Sequence, residues 1–154
     1  MAGAIDKRLQ ELGVTLPDAP APAANYIPAV LSGSMLYVSG QLPFGPGGLA
    51  LTGTLGAGVS IEDANKAAKL CAINILSQAK SVLGDLDRIA RIVKLTGFVA
   101  STADFGDQPK VMNGASDFLV EVLGDKGRHA RSAVGVAALP LNAAVEVEAI
   151  IEVA

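Results

Sequence analysis

The C-terminal run Val145-Glu-Val-Glu-Ala-Ile-Ile-Glu-Val153 restricts the folds open to this chain more than any other stretch. Val145, Val147, Ala149, Ile151 and Val153 alternate with Glu146, Glu148 and Glu152. A period of two puts the two sets on opposite faces of a strand, one face buried and the other turned to water or a partner. Just upstream, Arg128-His-Ala-Arg131-Ser-Ala-Val-Gly-Val136 reads as a second strand, joined to the first by a short turn at Leu139-Pro140. Arg131 has no carboxylate beside it in sequence. A guanidinium and a glutamate on paired strands of a small sheet could hold a carboxylate-bearing ligand and position a water beside it.

The rest of the chain supplies helices and further strands. Ser60-Ile-Glu-Asp63 is a capping-box variant opening a long helix that stops at Gly84. Ala64, Ala67, Ala68, Cys71, Ala72, Ile75, Ala79 and Val82 form its apolar stripe, small enough to let it approach a sheet closely. A second helix opens near Asp107, with Pro109 in its first turn, and ends at Gly124. Strands are expected over 27–31, 35–39, 49–54 and 88–99. The order βββαβαββ, without strict alternation, argues an α+β layer of six strands with both helices on one face. Residues 4–13 form a short amphipathic helix, and Leu16-Pro-Asp-Ala-Pro-Ala-Pro22 an extended arm, because each proline lacks an N–H. The expected organisation is an N-terminal helix and arm over 1–21 and one domain over 22–154.

Composition removes several function classes. The chain is 51% hydrophobic and 18% charged, apolar for its 154 residues. A small domain hides only part of such surface, so a subunit interface is expected. No apolar run approaches the roughly 20 residues that span a bilayer. The net charge of −3 and the scattered 12 Lys and Arg offer no basic stripe for nucleic acid. The single cysteine, Cys71, excludes an internal disulfide, and on the apolar stripe of the long helix it reads as a buried inert thiol. The N-terminus lacks a signal-peptide core, so a reducing cytoplasm is the default. His129, the one histidine, has no His/Asp/Glu cluster with it and reads as a surface or loop residue. Neither a metal nor an organic cofactor is expected.

Arg131 sits among Ala130, Ala133, Val134 and Val136, where a solvated cation is out of place. A buried guanidinium needs an anionic partner, and its fork suits a planar carboxylate. The residues leave a ligand and a structural pair both open. Glu146 and Glu148 project from one side of the sheet, toward solvent or a second subunit.

Ala130-Arg131-Ser132, Leu139-Pro140 and Val145-Glu146-Val147-Glu148-Ala149-Ile150 together resemble the C-terminal signature of the reactive intermediate deaminase (Rid, or YjgF-like) superfamily. Ser39-Gly40-Gln41-Leu42-Pro43 resembles its N-terminal signature, and the motifs fall in the family's order. The resemblance implies a chorismate-mutase-like sheet and a homotrimer with a cleft between subunits. It also implies that Arg131 binds a substrate carboxylate, that Glu146 orients a water, and that Tyr26, Ser39 and Asn113 line the cleft. Backbone groups at Ser39-Gly40 and Ser132-Ala133 would complete the contacts. Two positions depart from the family: Ala133 where a cysteine is common, and Gly135 where the better-known deaminases carry a glutamate.

The leading expectation is a cofactor-free deaminase of small carboxylated enamines or imines, releasing a 2-keto acid and ammonia. A non-catalytic keto-acid-binding trimer is the alternative from another class. A ribonuclease, a label some family members carry, is disfavoured by charge, and a chorismate-mutase-like rearrangement rests on fold analogy alone.

Overall fold

The computed structural model describes residues 2–19 and 24–154; residues 20–23, the end of the proline-rich arm, lie outside them. The elements run α1 (Ala4–Glu11), β1 (Ala29–Ser32), β2 (Met35–Gln41), β3 (Phe44–Gly45), β4 (Gly48–Leu49), α2 (Ile61–Leu83), β5 (Ile89–Ala100), α3 (Gln108–Leu123), β6 (Ala130–Val136) and β7 (Val145–Val153). The α+β class and both helix boundaries follow the sequence reading. Ser60 Oγ accepts the Asp63 N–H at 3.1 Å to cap α2, and Gly84 ends it at φ +78°. Both helices pack on one face of the sheet, where Val145, Val147, Ala149, Ile151 and Val153 are buried. Gly114 lets α3 close on α2: a Cβ there would stand 1.9 Å from the Asn65 carbonyl oxygen.

The sheet corrects two expectations. It has five strands, ordered β1-β2-β7-β5-β6, not six. Of the strand expected over 49–54, only Leu49, at the end of the short β3-β4 hairpin, and an isolated bridge at Thr52 are paired, because Gly53 takes positive φ and breaks the extended run.

The second correction matters more. β6 and β7 do not pair with each other. β5 lies between them, parallel to β6 and antiparallel to β7. The connection passes over the end of β5, where Ser101 N–H donates to Val136 and Ala100 N–H to Ala144, at 3.0 and 2.9 Å. Leu141 and Asn142, both at φ 59°, make the turn tight enough. The parallel pair becomes possible because α3 returns the chain to the start of β5, a crossover that antiparallel hairpins do not need.

The N-terminal helix is docked on the helical layer. Its first N–H groups, of Ala4 and Ile5, donate to the Asp87 carboxylate at 2.8 and 2.9 Å, a cap supplied from elsewhere in the chain. These two N–H groups, Ile5 first, hold the Asp87 carboxyl below its usual range. Asp6 pairs with Lys80 of α2 at 3.0 Å, and Arg8 Nε donates to the Glu121 carbonyl of α3.

Candidate functional site

Residues directly across a ladder share a face, so the register tells where each candidate points. Arg131 lies beside Leu95, and Leu95 beside Ala149, on the face that carries the helices. Its Nη1 donates to Asn113 Oδ1 at 3.0 Å and to Ser116 Oγ at 3.1 Å, both on α3. Both acceptors are neutral. Among the described residues no carboxylate comes within ion-pair distance of this guanidinium, although five other cations have one. The half-buried Arg131 is thus oriented by dipoles that leave its charge uncompensated.

Glu146 leaves the sheet on the other face. It lies beside Phe98, on the side that Glu148 shares with Thr96. The β2 ladder is irregular between Val38 and Gln41, and Gly40 falls inside that bulge. A Cβ on Gly40 would stand 1.9 Å from Glu146 Oε1, so the carboxylate fills the space where a side chain would be. Partial burial, and secondly the Glu148 carboxylate on the same face, push the Glu146 carboxyl above its ordinary range. On this face a cleft of about 340 Å³ is lined by Ile27, Pro28, Tyr37, Ser39, Lys94 and Glu148, among others, but not by Glu146.

The expectation of Arg131 and Glu146 on paired strands is therefore corrected: within one chain they stand on opposite faces, separated by the backbone of the sheet. Ser39, Gly40 and Glu148 belong to the Glu146 side. Ser132, beside Thr96, also faces that way, and Tyr26, 56% exposed, precedes its rim at Ile27. Asn113 belongs to the Arg131 side. Ala133, beside Gly97, packs against the core. A larger apolar cavity of about 590 Å³, between residues 15–18, the β3-β4 hairpin and α2, contains none of these residues.

Sequence reasoning missed two members of the Arg131 cluster. Ser116 was not singled out, although three residues after Asn113 it shares a helical face with it. His129 lies in the loop before β6, as one of the two expected placements had it, but it is half-buried, its Nε2 2.9 Å from Ser116 Oγ and its Nδ1 on the Gly127 carbonyl. Burial first, and Arg131 as a lesser influence, hold the imidazole below its usual range, against the raising effect of the Gly127 bond. Cys71 is the buried thiol expected, pushed well up by burial and secondarily by Glu146. Among the described residues no three of His, Cys, Asp and Glu are arranged to hold a metal ion, and no helix is long and apolar enough to cross a membrane.

Comparison with known proteins gives this geometry a context. A profile of the family described as "YjgF/chorismate mutase-like, putative endoribonuclease" matches residues 6–153. Protein TCP17 of Trypanosoma cruzi is 51% identical over 152 residues, spanning 98% of this chain and 95% of that protein. The crystal structure of Atu1372 from Agrobacterium tumefaciens superposes with a TM-score of 0.91 at 53% identity, over 98% of this chain and 94% of that one. A 2-iminobutanoate/2-iminopropanoate deaminase of Dermatophagoides farinae is 31% identical over 139 residues, 90% of this chain and 93% of that protein. The family match begins inside α1.

Proposed function

The chain belongs to the YjgF-like superfamily, and from that premise we propose that it is a cofactor-free hydrolytic deaminase of small carboxylated enamines and imines, yielding a 2-keto acid and ammonia. The observation that carries the reading is the Arg131 guanidinium, held by Asn113 and Ser116 with no carboxylate at ion-pair distance among the described residues. Such a group binds a visiting carboxylate without first breaking an ion pair, and the fork accepts it through two parallel hydrogen bonds. The relative named as an iminobutanoate deaminase supports the same substrate class.

Imine hydrolysis needs a water delivered to the C=N carbon and a proton delivered to nitrogen. Glu146 suits both steps. Its raised carboxyl lies closer to neutrality than an ordinary glutamate, where a group can take a proton from water and return it to the departing amine. Holding substrate and water together supplies much of the remaining acceleration. Since the two groups lie on opposite faces of one sheet, the reaction site requires Arg131 of one copy beside Glu146 of another. A homotrimer closing a cleft between neighbouring chains meets that requirement. The apolar residues exposed on the Glu146 face, Val30, Tyr37 and Val134, support burial by a second copy. We assign the protein to the cytoplasm, a reducing compartment that suits the free thiol of Cys71.

One feature favours binding without turnover as a second reading: Ala133 and Gly135 offer no thiol or carboxylate, the groups that the family resemblance implies at these positions. One assay separates the two. The imine is generated in the presence of wild type or Arg131→Ala, and keto-acid release is followed. Deamination predicts a fall in kcat/KM of about 10²–10³-fold in the variant, the usual loss when one partner of a charge-assisted pair is truncated. Equal rates in both proteins, matching the spontaneous rate, would remove the enzymatic reading.

A further inference from the structure

Resting on the carboxylate-clamp reading of Arg131, we propose that Ser116 and His129 are positioning residues for that clamp, acting through one directed chain of hydrogen bonds. The direction follows from the acceptors. The Gly127 carbonyl can only accept, so His129 Nδ1 carries a hydrogen, and in the neutral ring Nε2 is then left with a lone pair. Arg131 Nη1 can only donate, so Ser116 Oγ accepts from it and has its own hydrogen to give. At 2.9 Å, His129 Nε2 is where that hydrogen goes. Every donor then meets an acceptor, from Arg131 through Ser116 and His129 to Gly127, when the imidazole is neutral. Burial beside a guanidinium favours that form.

The chain does something an acidic partner could not. A long arginine carries considerable rotamer freedom, and a carboxylate would remove it while also neutralising the charge. Ser116 and Asn113 fix the fork through neutral oxygens, and His129 fixes the hydroxyl rotor that would otherwise turn freely. Ser116 itself projects from the helix face toward β6, and Gly127, just before the strand, is buried against the backbone of α3. The relay therefore ties the clamp to the rigid α3-β6 junction.

The test uses the full-length protein, with pyruvate as a probe for binding by calorimetry and imine hydrolysis for turnover. Ser116→Ala and His129→Leu should raise the pyruvate Kd and the imine KM about tenfold, the effect of losing one hydrogen bond to a charged group, with kcat nearly unchanged. Ser116→Thr keeps a hydroxyl, and His129→Gln keeps an acceptor near the Nε2 position; both should restore most of the affinity. Nitrogen NMR should find the Nδ1-protonated neutral tautomer, and Arg131 Nη signals that move in both disabling variants. If those variants bind and turn over like wild type while Arg131→Ala does neither, the relay is overturned and the clamp stands. If wild type neither binds pyruvate nor hydrolyses the imine, the clamp reading fails and NMR alone decides. An Nε2-protonated ring or unmoved Arg131 signals overturn the relay; the Nδ1 form with responsive signals supports it.

Discussion

Arg131 and Glu146 reach their unusual states by different physics. Arg131 is flanked by neutral oxygens, so its charge stays available. Glu146 is disturbed by burial and by Glu148, which favour its protonated form. The sign of its effect on stability follows. A carboxyl raised on folding contributes stability that is fully present below the unfolded value and is lost as pH rises through the folded one. Glu146→Gln, which holds the neutral shape at all pH, should therefore melt at a higher temperature than wild type in neutral buffer. That advantage should vanish below the ordinary glutamate range. The same substitution should lower kcat by about 10²-fold or more, as expected for loss of a general acid–base. A variant no more stable at neutral pH and fully active would show that Glu146 is an ordinary surface carboxylate. The strand pattern singled out Arg131 but left a ligand and a structural pair both open, and only the family resemblance set Glu146 apart from Glu148. Neither Ser116 nor His129 was legible as part of the site. Their meaning comes from a contact between α3 and β6 that the spacing of Asn113 and Ser116 only hints at.

Among the elements, β5 decides how the site is divided. Local alternation gave β6 and β7 their character but could not say that a third strand inserts between them. The pairing partners are distant in sequence, and alternation carries no information about which neighbour a strand takes. The two helices were read correctly to their ends, since caps and stop glycines are local signals. Gly40 shows what the N-terminal signature does physically. The β2 bulge and the missing side chain make room for the Glu146 carboxylate. Gly40→Ala would thrust a methyl into that space, at 1.9 Å from Oε1, where the glutamate must turn aside. Turnover should fall by about 10²-fold, in keeping with catalytic groups displaced by about an ångström, while pyruvate still binds through Arg131. Loss of pyruvate binding together with activity would instead mean that the bulge supports the fold as a whole.

For the whole molecule, Arg131 and Glu146 stand on opposite faces of one sheet, so the proposed reaction site would take one group from each of two copies. The apolar composition, the exposed Val30, Tyr37 and Val134, and the separation of Arg131 from Glu146 are what the proposed assembly of several copies would account for. Surplus apolar surface was readable from composition; the division of the site was not, because it depends on strand order. Co-expressing Arg131→Ala chains with Glu146→Gln chains tests the account directly. Each variant alone leaves every site without one group, so each should be nearly inactive. In randomly mixed closed assemblies, about a quarter of the shared sites would receive an intact Arg131 from one chain and an intact Glu146 from its neighbour. Keto-acid release should return to about that fraction of wild type. Mixed assemblies, verified by native mass spectrometry, that stay as inactive as the separate variants would contradict a site built from two copies.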